Sequence, residues 1–125
     1  MFINSKDQIL TPFTQPLGES VFELIGSSPK SGDARLHSLA HILIPPGKCS
    51  SKHYHKVAEE TYYILKGQGR MVVDEREYTL TPGQACLICA PEVHQIFNDG
   101  TVDLEFLAVC APAWTPDDSF LAEES

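Results

Sequence analysis

Basic residues are scarce in this chain: nine lysines and arginines stand against seventeen aspartates and glutamates, a formal net charge of −8. Most of the surface therefore repels polyanions, so neither nucleic acid nor an anionic membrane is expected as a partner. A small acidic substrate stays compatible, because a bound divalent cation would dominate the field inside a pocket. Long apolar runs are also missing, and none approaches the ~20 residues needed to cross a bilayer. The opening Met1-Phe2-Ile3-Asn4-Ser5-Lys6-Asp7 has no basic flank followed by an apolar run, so the expected location is cytoplasmic. Cysteine is limited to Cys49, Cys86, Cys89 and Cys110. Cytosolic thiols are normally reduced, and Cys86 and Cys89 have no second such pair to complete a zinc ribbon. All four are expected as buried, unpaired thiols, with Cys89 notable for its closeness to His94.

A convincing long helix is absent as well. What fills the chain of 125 residues is short runs of strand formers punctuated by glycine and proline: Val21 to Ile25, Leu36 to Ile44, Thr61 to Lys66, Arg70 to Asp74, Tyr78 to Leu80, Ala85 to Ala90, His94 to Phe97 and Leu104 to Val109. Such a pattern predicts one all-β domain, an antiparallel sandwich or barrel. Gly67-Gln68-Gly69 reads as a hairpin turn, with further turns at Asp74 to Glu77, Thr81 to Gly83 and Asn98 to Gly100. Residues 1–20 read as an arm free to pair with an edge strand, 21–112 as the barrel and 113–125 as a tail. Within that tail Thr115-Pro116-Asp117-Asp118 has the make-up of a helix start, predicting one or two turns over Ser119 to Ala122 and fraying from Glu123 to Ser125.

The chemistry concentrates between Gly47 and Gly67. His53 and His55 are two apart, so in an extended strand both imidazoles leave the same face. Lys56 to Ala58 give room for a turn before Glu59 and Glu60, after which Glu60, Tyr62 and Ile64 share a facing. His94, some forty positions on, supplies a third imidazole. Three neutral imidazoles and one carboxylate suit a divalent iron, manganese, nickel, copper or zinc ion and leave coordination positions open in a six-coordinate site. The ligands are thus His53, His55, His94 and Glu60, with Glu59 the substitute if the turn is one residue shorter. His37 and His41 lie ~13 Å apart along one strand and cannot share an ion. Gln95 and Asn98 are candidates for a supporting or turn role.

Gly47, His53, His55, Glu60 and Gly67 follow the spacing G-x5-H-x-H-x4-E-x6-G, and Gly83, His94 and Asn98 keep that of G-x5-P-x-G-x2-H-x3-N. Together these resemble the two motifs of the cupin superfamily, with Cys89 in the second motif's proline position and Pro91 in its second glycine position. The resemblance implies one cupin-type barrel, a double-stranded β-helix or jelly roll, holding one divalent transition metal ion. It is compatible with dioxygenation, isomerisation or lyase chemistry on a small polar or oxygenated molecule, and equally with a non-catalytic module that binds a small ligand or the metal. Dioxygen chemistry is the preferred enzymatic reading, because the sequence names no acid or base beside the ligands. If a proton-transfer group exists, Tyr62 and His37 are the first candidates. A homodimer is expected, since the arm and the outward-facing Tyr63, Leu65, Leu87 and Phe97 offer apolar surface.

Overall fold

A computed structural model describes residues 1–122, and among them eleven strands form two antiparallel sheets. The strands are β1 (Phe13–Thr14), β2 (Ser20–Ile25), β3 (Ser38–Ile44), β4 (His53–Tyr54), β5 (Glu59–Lys66), β6 (Gly69–Val73), β7 (Arg76–Leu80), β8 (Ala85–Ile88), β9 (His94–Phe97), β10 (Leu104–Ala111) and β11 (Phe120–Leu121). One sheet runs β1-β2-β3-β10-β5-β8 and the other β11-β4-β9-β6-β7. The all-β expectation holds. The described residues contain no α-helix, only short 3-10 turns, and none is long and apolar enough to cross a membrane.

Alternation along the strands builds the interior. In β10, Leu104, Phe106, Ala108 and Cys110 point inward, and in β5 Glu60, Tyr62 and Ile64 do the same. The register sets Phe106 opposite Ile64 and Ile42, and Cys110 opposite Glu60 and Ser38. The inner face is therefore divided lengthwise. Ile42, Ile44, Ile64, Met71, Ile96, Leu104 and Phe106 fill one end as a dry core. Truncating a buried aromatic such as Phe106 to alanine would cost about 3–5 kcal/mol. Toward the other end the same facing carries Ser38, His53, Glu60, His94 and Cys110, all buried and all polar or ionisable.

Three local expectations are corrected. Gly67 to Gly69 is not a hairpin, because β5 and β6 belong to different sheets; the turn carries the chain from one layer to the other. Gly67 is required there: its φ is +80°, and a Cβ would stand 2.6 Å from the Asp103 carbonyl oxygen. The two-residue hairpin lies instead between β6 and β7, where Asp74 and Glu75 both take positive φ as a type I′ turn requires. In the tail, Pro116–Asp118 form one 3-10 turn with no side-chain cap from Thr115, and the predicted turns over Ser119 to Ala122 are replaced by β11 pairing with His53 and Tyr54. The expected fraying from Glu123 onward lies outside the described residues.

The arm pairs with its own barrel, Phe13 opposite Val21 and Thr14 opposite Ser20. The cysteines are only partly as expected: Cys110 is buried, Cys49 and Cys86 half-buried, and Cys89 exposed, all four unpaired.

Candidate metal centre

The four ligand candidates come from three places in the fold. His53 opens β4 and is the register partner of His94, the first residue of β9, which brings the 53–55 segment against the second motif. Glu60 reaches the same space from β5 in the opposite sheet. One donor atom from each of His53, His55, Glu60 and His94 lies within 4.8 Å of the others, the scale set by two bonds of ~2.1 Å to a common ion. Glu59 points to solvent and is no ligand.

Each imidazole is held by its other nitrogen. The Nδ1–H of His53 donates to the Ser51 carbonyl at 2.9 Å, that of His55 to the Asp118 carbonyl at 2.7 Å and that of His94 to the Glu92 carbonyl at 3.1 Å. A carbonyl can only accept, so in the neutral ring the proton stays on Nδ1 and the Nε2 lone pair faces the cluster. Glu60 is divided in the same way. Its Oε2 accepts from the Cys110 thiol at 3.0 Å, while Oε1 stands 3.4 Å from His55 Nε2 and 3.3 Å from His94 Nε2. Neither short approach has hydrogen-bond geometry, and those three atoms are buried without a partner among the described residues. Buried lone pairs aimed at one another are costly unless a cation joins them. The donor set thus fits a divalent transition metal.

The titration of the cluster follows from burial and crowding. Burial and the neighbouring His94 lower the His53 pKa to about 4, so this ring is neutral near pH 7. Burial alone would raise Glu60, but His55 and His94 more than offset it and hold the carboxyl below the usual carboxylate range. Burial likewise opposes protonation of His55, and the adjoining Glu60 reverses the sign, so its pKa is raised. Burial and the Glu60 charge push the Cys110 thiol far up, which keeps it a donor.

The cluster opens into a cavity of about 460 Å³ lined by the inner faces of β2, β3, β5 and β10, by Gln15 and Glu19 from the arm, and by Trp114, Pro116 and Ser119 from the tail. Tyr62 lines it and is buried, its ring 6.1 Å from that of His94; burial and Glu60 keep the phenol neutral. His37 is exposed and does not line the cavity, which removes it from the groups facing the cluster. His41 stands on the other face of β3, paired with Glu105 at 2.9 Å. Asn98 is fully buried and structural, its Nδ2 donating to the Ile44 and Val102 carbonyls and its Oδ1 accepting from Gly100.

Four residues escaped the sequence reading. Cys110 was legible from the inward alternation Leu104-Phe106-Ala108-Cys110. Glu92 was not: its Oε1 accepts the Cys89 amide at 2.7 Å, closing the turn whose carbonyl orients His94. Asp118 and Glu19 come from tail and arm, where no periodicity marks a facing.

Comparison with known proteins agrees with this geometry. An uncharacterized protein of Methanocaldococcus jannaschii is 30% identical over 91% of this chain and 90% of its own. The oxalate-binding protein of Thermotoga maritima is 36% identical over 69% of each chain. A solved structure from Thermotoga maritima, described as a "predicted oxalate decarboxylase", superposes with a TM-score of 0.74 at 27% identity, covering 89% of this chain and 99% of that one. Residues 40–110 match the family model described as Cupin domain, a span that contains the four candidate ligands and the strands that carry them, and the chain belongs to the cupin family.

Proposed function

We propose that the chain holds one divalent transition metal on His53, His55, Glu60 and His94 and uses it to bind and transform a small carboxylate-bearing molecule. The observation that carries this reading is the set of buried, partnerless donor atoms beside a cavity of about 460 Å³. When bound, the ion would supply Lewis-acid polarisation of a ligand oxygen. The chain's own residues do the rest. Ser51, Asp118 and Glu92 fix the three rings, Cys110 fixes Glu60, and the apolar wall of Val21, Ala40, Ile42 and Ala108 restricts the ligand to a small one.

Charge narrows the ligand class. No lysine or arginine lines the cavity, and Glu23 stands in it with the candidate ligand Glu60. A phosphate group would lack the cationic clamp it normally needs, whereas a carboxylate can be met by the ion and by neutral donors. The name of the Thermotoga maritima relative, an oxalate-binding protein, points to the same class. Dioxygen chemistry, preferred from sequence because no other acid or base is visible there, yields to a lyase- or isomerase-type proton transfer, since Glu19 places an ionisable non-ligand group in the cavity.

Elemental analysis of anaerobically purified protein, followed by calorimetry with oxalate, malonate and pyruvate against a sugar phosphate, tests the proposal. One ion per chain, metal-dependent carboxylate binding and turnover without oxygen uptake are expected. Metal-independent binding, or preference for the sugar phosphate, would overturn it, and tight binding without turnover of any probe would favour a non-catalytic module.

A further inference from the structure

Glu19 is 4% exposed, comes from the arm rather than from either motif, and lines the cavity that holds the cluster. Its position is built. Gln15 and Glu19 are bound backbone to backbone, the Gln15 amide donating to the Glu19 carbonyl at 2.8 Å. Their side chains meet as well, Gln15 Nε2 donating to Glu19 Oε1 at 2.7 Å. Ser51 Oγ in turn donates to Gln15 Oε1 at 2.9 Å, which sets the amide so that its NH2 group faces the carboxyl. Oε1 is therefore the accepting oxygen. Oε2 has no protein partner among the described residues.

The titratable groups that share the cavity are Glu23 on β2, His53 and His55, Glu60 and Tyr62 on β5, and Cys110 on β10. An ionised Glu19 would be a buried charge with a single neutral donor and no lysine or arginine beside it, close enough to Glu60 to feel its charge. The neutral acid avoids that cost and places a hydrogen on Oε2. Burial first, and Glu60 second, raise the Glu19 pKa to about 8, in the same direction as the geometric argument.

We infer that Glu19 is a recognition residue of the cavity, donating a hydrogen bond from Oε2 to an anionic oxygen of the bound carboxylate. The inference rests on the carboxylate reading above. It explains how a site without lysine or arginine meets a second anionic oxygen: a neutral acid adds a donor without adding charge, as an ionised one could not.

The test compares the metal-loaded parent, Glu19→Ala and Glu19→Gln by calorimetry with oxalate, malonate and pyruvate, with metal content measured on the same samples. Glu19→Ala should keep one ion per chain and bind the best of the three at least tenfold more weakly, and Glu19→Gln, which keeps an N–H donor in the same shape, should recover most of the loss. In the metal-free parent near neutral pH, an infrared band of a protonated carboxylic acid that disappears in Glu19→Gln is expected. If Glu19→Ala does not fold, Glu19→Met supplies similar bulk without a donor. Unchanged affinity in the donorless variant, Glu19→Gln as weak as that variant, or absence of the acid band would each overturn the role of Glu19 while leaving metal-dependent carboxylate binding standing. A metal-loaded parent that binds none of the three overturns both.

Discussion

Asp118 holds His55 and the loop after it at once. Its carbonyl oxygen accepts the His55 Nδ1 hydrogen at 2.7 Å, and its carboxylate accepts the backbone amides of Lys56, Val57 and Ala58 at 2.8 to 3.3 Å. The tail therefore determines both the aim of one ligand and the shape of the turn that delivers Glu60. Burial opposes ionisation of this carboxyl, and the three amides together outweigh it, so its pKa lies below the ordinary value.

Asp118→Ala is accordingly expected to speed metal loss tenfold or more without unfolding the barrel, with Asp118→Asn intermediate. Because the folded pKa is lowered, the contact is present at neutral pH and is lost as pH falls through that lowered value. Metal off-rates measured with a chelator across this range check it. Identical rates in parent and Asp118→Ala would show that the carboxylate contacts to residues 56–58 are not needed to keep the Asp118 main-chain carbonyl on His55.

The double change of His53 and His55 to alanine should abolish stoichiometric metal while circular dichroism stays β-rich. Glu60→Gln should weaken metal retention strongly, and Glu59→Gln hardly at all, because Glu59 is exposed and outside the cluster. The reverse order would move the carboxylate ligand by one residue.

Cys110→Ala should leave Glu60 Oε2 buried without its donor, at about 1–3 kcal/mol of stability. Cys110→Ser restores an O–H donor and should recover part of it. Denaturant melts of the metal-free proteins read both, and an alanine variant as stable as the parent would make the thiol contact incidental.

Glu19 gives a pH signature in metal-free protein. Its pKa rises from the ordinary 4.5 to about 8 on folding, so between those values the folded chain keeps a proton that the unfolded chain has released. Stability from this group is full below the unfolded value, falls as pH rises through the window by up to about 1.4 kcal/mol per unit, and levels off above the folded value. Glu19→Gln should flatten that slope, and thermal melts that change equally with pH in both proteins would contradict it.

The homodimer expected from sequence would use the outer face of the six-stranded sheet, where Tyr63, Leu65, Leu87 and Val109 are exposed. Phe97 does not join that patch: it is half-buried in the other sheet, with the Arg70 guanidinium 4.3 Å from its ring centre. Sedimentation of the parent should give twice the chain mass, and Leu87→Lys should give a monomer. A monomeric parent at micromolar concentration would reject the dimer.

Local pattern was enough to place most of the strands and to set the facing of the candidate ligands. Alternation gives the facing of Glu60, Tyr62 and Ile64, spacing gives the shared side of His53 and His55, and glycine and proline mark the turns, because these depend on neighbours two or three positions away. What tertiary structure alone decided is how distant segments meet. The pairing of His53 with His94, the Cys110 thiol on Glu60, the arm that brings Glu19 into the cavity and the tail strand that seats Asp118 under His55 are contacts across 41 to 63 positions or between an arm and an opposite wall. Such contacts follow from which sheet edges and inner faces remain to be covered once the barrel closes, and no periodicity in either partner announces them.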